Sequence, residues 1–528
     1  MEKTPEEHMT ESQGNRKQRI LLWLGFLLGF LWPMYRLINS SGWILDDEIS
    51  HFLFSKAVVD WPEILLDEWP RPGRNLIHSI ITPFGLTASR IFTLILSTLA
   101  VFFCYRVALR LNIRHAWSIP FLLCFQPWYP ELSYPVLTQA PFMLVWILAV
   151  YLALNNRMHF AAFAFGYLSL IRHEGIFITA LWGLWVICQP GGVIYHLLHK
   201  KKFGEVRKSL AHSILLGFST ISPIIILNLC AYFIQGRIPF AIYFDSNPTD
   251  IYGNGSLFHY VPMLRNYVGN ITLSLSVIGM YFIFSNKLKN WSLILITYPA
   301  YFILHSVIYW KGSFASGGYY HFLMPMAPLF ALLAALTISK FLTYDFKHAH
   351  YVTQARYLIG VFIFVIFCQG MHMASYQHNN QDWSNIMAGK ASVKTSLLAP
   401  VDTTSRIKKQ IREATHLAKS NSEPNNTFTH CAHVYFYYLT DQPDTLSFRN
   451  ERIAPLSTFP IGSHYIWDSN YADLEPRTSH TELEKNSNWQ SARMWTDTNG
   501  KPSVILFRKT NNSPYDEDLT PKGRNLSY

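Results

Sequence analysis

The sequence predicts an α-helical polytopic membrane protein that carries a mixed α/β soluble domain at its C-terminus. Long apolar runs follow one another from residue 20 to about residue 373 and then stop. The chain is 50% hydrophobic and only 15% charged, which is too apolar for an ordinary soluble enzyme of 528 residues. Short loops between the apolar runs hold much of the excess positive charge, as the positive-inside rule expects of a membrane protein.

About eleven apolar runs are candidate membrane-spanning helices. They are 20–38, 88–111, 116–130, 135–154, 159–171, 175–190, 212–234, 268–285, 291–309, 320–341 and 356–373. If residues 1–19 form a cytoplasmic tail, nearly every strongly basic short loop, such as 200–208, lies on the cytoplasmic side. The outer loop 39–87, the turn near Arg172 and the C-terminal domain 374–528 then share the opposite side of the membrane.

Composition also excludes two classes of protein. Much of the excess behind the net charge of +11 lies in short loops, and we find no surface of interleaved basic and aromatic residues suited to nucleic acid. Five of the six cysteines lie in apolar runs, so the sequence predicts no disulfide framework and no metal cluster.

The C-terminal region predicts mixed secondary structure. Residues 406–419 have helical character, and residues 433–439 and 464–467 resemble strands. Residues 488–508 predict a hairpin that turns at Asn499-Gly500. No catalytic motif is found in this region.

Three successive carboxylates, Asp46-Asp47-Glu48, follow the first candidate span. Carboxylates beside hydrocarbon are costly unless they face water, a cation or a substrate, and clustered acids raise one another's pKa toward that of a general base. The alternative is structural: Asp46 caps an interfacial helix 47–59, with the other two acids favouring its dipole. The same loop supplies three further candidates for substrate contact, which are His51, Arg71 and Arg74.

A second polar segment, Arg172-His173-Glu174-Gly175, interrupts an apolar stretch. Three ionisable residues in a row at membrane depth suggest an anionic ligand or a salt bridge, whereas the alternative is a polar turn between two helices. A third segment holds Lys311 and, before a late span, Tyr320-His321. These cations could bind phosphate and the tyrosine could stack on a sugar; the alternative is an aromatic belt at the interface with a snorkelling lysine.

The order of these motifs resembles that of the GT-C superfamily of polyprenyl-phosphate-sugar glycosyltransferases. This superfamily includes the bacterial aminoarabinose and protein O-mannosyltransferases and, distantly, the mannosyltransferases of the GPI and dolichol pathways. Asp47-Glu48 matches the acidic pair of the first outer loop, and 172–175 matches an Arg-x-Glu-Gly turn. The segment 321–328 resembles Arg-Tyr-x-x-x-Pro-x-x-Pro, with His321 in place of the arginine, Phe322 in place of the tyrosine and the Pro-x-x-Pro pair one residue closer. The segment 235–240 resembles a Gly-x-Pro-Phe motif. The resemblance covers about residues 20–345.

The resemblance implies inverting transfer of a sugar, mannose or another hexose or pentose, from a polyprenyl-phosphate donor to a lipid, glycan or protein acceptor. Asp47 is then the base, and Asp46 or Glu48 orients it. Cations stabilise the leaving phosphate: Arg172, His321 and Lys311. The remaining residues expected to contact substrate are His51, Arg71, Arg74, His173, Glu174 and Tyr320.

The implied reaction needs no cofactor. Whether the acidic loop binds a divalent metal ion is left open by the resemblance. The expected location is a bacterial inner or plasma membrane rather than the ER membrane, with the site on the periplasmic or lumenal face. Two rivals remain: a transporter or lipid flippase that uses the same charges as a path, and a non-catalytic membrane scaffold. The notable charges lie at outer helix ends, which favours an enzyme at the interface.

Overall fold

The structure is a computed structural model of the whole chain. It describes residues 5–39, 45–66, 71–199, 201–239, 253–286, 288–343, 359–361, 363, 365–366, 406–420, 429–431, 433–440, 459–469, 471–472 and 480–511. The first two-thirds of this part is helical, and a small sheet follows in the C-terminal region. The predicted fold class is confirmed.

Within the described ranges, six helices are long and apolar enough to cross a membrane, or seven if one bent pair counts as a span. Four belong to the first half: α1 (Pro5–Ile38), α4 (Leu86–Arg110), the stretch Gly175–Leu198 and α11 (Phe203–Gln235). Two belong to the second half: α14 (Ser292–Lys311) and the stretch His321–Thr343. The bent pair is α12 (Tyr260–Val268) and α13 (Asn270–Ser285).

The predicted number of eleven spans is not confirmed. Two predicted spans are shorter apolar helices, α7 (Gln139–Leu154) and α8 (Met158–Ile171). By contrast, the predicted span 175–190 lies within the candidate span Gly175–Leu198, which contains α9 (Gly175–Cys188) and the short α10 (Val193–Leu198). The predicted span 356–373 lies largely outside the described residues.

The predicted span 116–130 is wrong, because the chain there is broken rather than continuous. Two short helices, α5 (Ile119–Cys124) and α6 (Tyr129–Leu132), are separated by turns. Pro127 and Pro130 have no amide hydrogen to give to a helix, so an apolar run alone does not make a span here. A buried ion pair between Arg36 Nε and Glu131 Oε1, 2.9 Å long, joins α6 to the end of α1.

One large apolar core holds the helices together. It includes Val101 of α4, Trp146 of α7 and Phe165 of α8. The central helix is α15 (Ala327–Thr343), in which nearly every residue is buried. By contrast, α11 leaves large apolar side chains such as Phe218 and Phe233 exposed, as expected of a surface that faces lipid.

The C-terminal region contains α16 (Arg406–Ser420), α17 (Val434–Thr440) and α18 (His480–Lys485) around a four-stranded sheet. The strands are β1 (Thr429–Cys431), β2 (His464–Asp468), β3 (Trp489–Thr496) and β4 (Pro502–Lys509), in the order β1-β2-β4-β3. The helix at 406–419, the strand at 464–467 and the hairpin β3–β4 are confirmed. The strand predicted at 433–439 is wrong, since its run of aromatic residues forms α17.

The loop between α1 and α4 shares an apolar core with the C-terminal region. The loop contains α2 (Asp46–Ala57) and α3 (Pro72–His78). Ile49, Phe52 and Leu53 of α2 pack in the same cluster as Ile411 and Phe436. The C-terminal region is therefore seated on the acidic loop, which places its side chains next to the candidate site.

Candidate active site

The three carboxylates form the first turn of α2 and face three different environments. Leu45 is the residue before the helix, and no side chain caps the helix with a hydrogen bond. The alternative in which Asp46 caps the helix is therefore wrong, although the acids still favour the helix dipole. Because successive helical residues point about 100° apart, neighbouring acids can serve separate purposes.

Glu48 is fully buried and occupied by structural partners. Its carboxylate accepts two hydrogen bonds from Arg90, at 2.8 Å from Nε and 2.6 Å from Nη2. The backbone amide of Val136 donates a third, of 2.9 Å. This geometry favours a structural role over the predicted orienting role.

Asp46 points toward the C-terminal region. Its Oδ1 lies 2.7 Å from Lys408 Nζ, and its Oδ2 accepts a 3.1 Å hydrogen bond from the hydroxyl of Tyr471. These contacts hold Asp46 at the interface of the loop with the C-terminal region, beside the predicted base but directed away from it.

Asp47 is exposed, although other parts of the protein lie close around it. The surrounding protein and the charge of Asp46 raise the pKa of Asp47, while Arg172 and Arg71 oppose the rise. A solvent-accessible carboxylate with a raised pKa, flanked by two guanidinium groups, has the properties of a general base beside an anion-binding surface.

Arg172 belongs to the turn between α8 and α9. Its Nη2 and Nε donate to Glu174 at 2.6 and 3.2 Å, and its Nη1 donates to Thr138 Oγ1 at 2.7 Å. Its guanidinium lies 5.1 Å above the ring of Phe322. The predicted salt bridge thus exists within the turn. Burial alone would raise the pKa of Glu174, but Arg172 and His305 hold it well below its usual range, so the pair stays charged.

Gly175 allows the turn to end close to the preceding helix. A Cβ at this position would overlap the backbone of Leu168 in the preceding helix. Only glycine lets α9 begin so close to α8. That close approach directs Arg172 back toward Thr138, which puts the guanidinium on the same surface as Asp47.

Arg71 and His173, both predicted to contact substrate, contact each other, with Arg71 Nη1 3.0 Å from His173 Nδ1. Arg71 has a left-handed backbone, with φ of 64°, which is rare for a residue with a Cβ. The following helix fixes this conformation: the hydroxyl of Tyr167 donates a 2.8 Å hydrogen bond to Gly73 O, and a Cβ on Gly73 would crowd Leu170. Strained residues held by their surroundings are common at functional sites.

His51 and Arg74 lie deeper than the other predicted contacts. Arg74 is buried and donates to His51 O, Ser55 Oγ and, at 3.0 Å, Val136 O. This geometry favours a structural role for Arg74. Burial, then the charge of Arg74, lowers the pKa of His51 well below its usual range, so its ring is neutral at physiological pH.

In the late segment, Tyr319 lies near the acidic loop and His321 lies near the Arg172 turn, whereas Lys311 lies against Trp310. His321 stacks on Tyr319, with ring centroids 5.5 Å apart. The nearby carboxylates, after burial, raise the pKa of Tyr319, and Asp47 is the larger of the two effects. Lys311 is exposed, with its Nζ 4.1 Å from the Trp310 ring centroid, as the aromatic-belt alternative describes. The side chain of Tyr320 lies outside the described residues.

Sequence reasoning missed several residues that complete the site. His305 of α14 is buried, and its Nε2 lies 3.6 Å from Glu174 Oε1. A histidine inside an apolar helix was a usable signal, because ionisable residues in membrane helices are usually functional. Thr138 and Lys408 gave no such signal. In the described part of the chain, no three His, Cys, Asp or Glu side chains are grouped so as to hold a metal ion.

Comparison with solved structures identifies the architecture. The chain resembles the crystal structure of ArnT from Cupriavidus metallidurans bound to undecaprenyl phosphate, with a TM-score of 0.56 and 11% identity over 92% of this chain and 97% of that one. The apo structure of the same protein gives a TM-score of 0.56 and 12% identity over 94% and 98%. At this identity the likeness concerns the architecture: the chain has the fold of ArnT.

In this fold, the acidic turn of α2, the Arg172 turn and the His321 segment lie near one another. The fold is shared at low identity, and no protein-family model and no curated protein sequence matches the chain. The residues of the site therefore have to be argued from their own geometry.

Proposed function

We propose that this protein is an integral membrane glycosyltransferase that transfers a sugar from a polyprenyl-phosphate donor to an acceptor, with inversion. The observation that carries the proposal is the difference among the three acids. Glu48 and Asp46 are occupied by protein partners, whereas Asp47 is accessible and faces Arg172 and Arg71. The GT-C fold and the undecaprenyl phosphate bound to ArnT support the class of donor.

The acceptor's hydroxyl or amine attacks the anomeric carbon of the donor sugar and forms the new bond to it. The bond from that carbon to the phosphate oxygen breaks, and its electron pair leaves with the polyprenyl phosphate. Asp47 accepts the proton that the nucleophile loses. The reaction balances with no other reactant, and the carboxylate acts only in its deprotonated form.

The leaving phosphate gains charge in the transition state, so fixed cations accelerate the reaction. Arg172 supplies such a cation: although Glu174 and Thr138 hold its orientation, the guanidinium has five N–H donors and these contacts use three. Arg71 and His321 extend the same surface, and His51 and His173 border it. Lys311 is a weaker candidate, because it is exposed on the ring of Trp310.

The location of the site follows the charge distribution of the sequence. With the basic short loops in the cytoplasm, α2 and the C-terminal domain 374–528 lie on the outer face, and residues 20–373 form the transmembrane catalytic domain. For a bacterial protein this face is the periplasm. The proposed acceptor is a lipid, glycan or protein exposed there.

The decisive experiment is transfer of labelled sugar from a panel of defined polyprenyl-phosphate donors by purified Asp47→Asn protein. We expect transfer to fall by about two to four orders of magnitude, because the amide cannot accept the proton. Thermal unfolding should stay near wild type, because Asp47 is exposed. Asp60→Asn, an exposed acid farther along the same loop, is the matched control and should remain active.

The pH dependence tests the same assignment. The base works only above its pKa, and the pKa of Asp47 is raised, so kcat/KM should fall on acidification at a pH above the usual carboxylate value of about 4. Full turnover by Asp47→Asn would contradict the assignment. Wild-type protein that moves lipid phosphate across vesicles, but transfers no sugar from any donor, would favour the transporter alternative instead.

A further inference from the structure

The contact between Asp46 and the C-terminal region is unusually well built for a surface ion pair. Lys408 lies 2.7 Å from Asp46 Oδ1, and only 7% of Lys408 is exposed. The hydroxyl of Tyr471 donates to the other oxygen of Asp46 at 3.1 Å. A pair that is largely removed from water and supported by a hydrogen bond is stronger and more specific than an exposed pair.

His433 completes the contact as a neutral neighbour. The amide of Tyr435 donates a 3.2 Å hydrogen bond to His433 Nδ1, so the proton of the neutral ring is on Nε2. Nε2 lies 3.9 Å from Asp46 Oδ2, and burial lowers the pKa of His433 to about 4. Lys408 is therefore the cation that opposes the charge of Asp46 at neutral pH.

Apolar packing fixes the geometry of this contact. Ile49 and Phe52, on the turns of α2 that follow Asp46, share a buried cluster with Ile411 and Tyr435. Ile411 is one turn beyond Lys408 on α16, and the rings of Phe52 and Tyr438 are 6.4 Å apart. The C-terminal region therefore contacts both the charged first turn of α2 and the apolar residues of the turns that follow it.

We propose that the C-terminal domain is part of the catalytic unit, with Lys408 and Tyr471 as positioning residues that hold Asp46 and leave Asp47 free to take the acceptor's proton. This inference rests on the proposed function of Asp47. It assigns the C-terminal domain a role in catalysis that the membrane helices alone do not supply.

The charges around the two acids give the direction of the effect. Asp47 faces Asp46, which disfavours its ionised form, and Arg172 and Arg71, which favour it; His51 on the same helix is neutral, and Tyr319 faces it from the late segment. Around Asp46 lie Lys408, His433 and Tyr471. If Lys408 loses its charge, the repulsion of Asp46 on Asp47 is less opposed, and Asp47 holds its proton to a higher pH.

The first test uses Lys408→Met in the full chain, with sugar transfer measured across pH. We expect the acidic limb of kcat/KM to move up by about one pH unit, and transfer near that limb to fall about tenfold. Asp46→Asn should move the limb down. The double variant Asp46→Asn/Lys408→Met should behave as Asp46→Asn does, because no charge remains to repel Asp47. Lys419→Met removes an exposed lysine from the other end of α16 and should change nothing.

The second test does not depend on activity. Hydrogen–deuterium exchange of the detergent-solubilised protein should be faster in α2 for Lys408→Met than for wild type or Lys419→Met, because one end of the contact is lost. Unchanged exchange together with an unchanged limb would overturn the inference. A uniform loss of rate at every pH would reduce Lys408 to a packing residue. If Asp47→Asn retains full turnover, Asp47 is not the base and the proposed function fails. The exchange measurement then still shows whether Lys408 stabilises α2.

Discussion

One structural prediction concerns Glu48, because it distinguishes this buried acid from Asp47, the proposed base. The carboxylate of Glu48 is fully buried, and the side chain of Arg90 is 5% exposed. Three hydrogen bonds of 2.6 to 2.9 Å occupy the carboxylate. Glu48→Gln keeps an acceptor for the Val136 amide but leaves the guanidinium of Arg90 buried without its counter-charge.

The magnitude follows from the loss of the negative charge of Glu48 beside this buried cation. Removal of one partner of a buried ion pair costs about 3–5 kcal/mol of folding free energy, whereas removal of both charges costs much less. Glu48→Gln should therefore lower the thermal unfolding midpoint and the yield of folded protein. The double variant Glu48→Gln/Arg90→Met should recover most of the loss, because it removes the cation and keeps the acceptor for Val136.

The assay is thermal unfolding of detergent-solubilised protein by intrinsic fluorescence, with sugar transfer measured on the fraction that stays folded. The folded fraction of Glu48→Gln should keep transfer within about tenfold of wild type, since this acid does not touch the reacting atoms. A stable Glu48→Gln protein with transfer reduced about a thousandfold would refute the reasoning and return Glu48 to the predicted catalytic set.

Two predictions remain. For Arg172→Ala we expect a loss of about 2–4 kcal/mol in transition-state stabilisation. Arg172→Lys keeps the cation but loses the paired hydrogen bonds to Glu174, so its transfer rate should fall less. If kcat/KM is the same for Arg172→Ala and folded wild type, Arg172 is a structural turn residue. For topology, a cysteine at Lys202 should be protected from an impermeant thiol reagent in intact cells and one at Ser491, exposed on β3, should react; protection of Ser491 would remove the outer location of the C-terminal domain.

The sequence by itself determined the class of protein and the neighbourhood of the site. Apolar runs and the placement of basic residues respond to the bilayer, which acts along the chain and not through distant contacts. The Asp46-Asp47-Glu48 run and the Arg172 turn were visible for the same reason, since charge next to an apolar run is a local anomaly. The hairpin at Asn499-Gly500 was likewise encoded in adjacent residues.

Only the tertiary structure decided which partners each polar residue contacts. Three adjacent carboxylates are equivalent in sequence, but Arg90 and Val136 contact Glu48, Lys408 contacts Asp46, and Asp47 is exposed near Arg172 and Arg71. These partners are up to several hundred residues away along the chain, so no local sequence pattern predicts the contacts. The broken span at 116–130 and the aromatic run that forms α17 show the same limit. Hydrophobicity predicts burial, whereas proline chemistry and packing against distant elements decide the shape that burial takes.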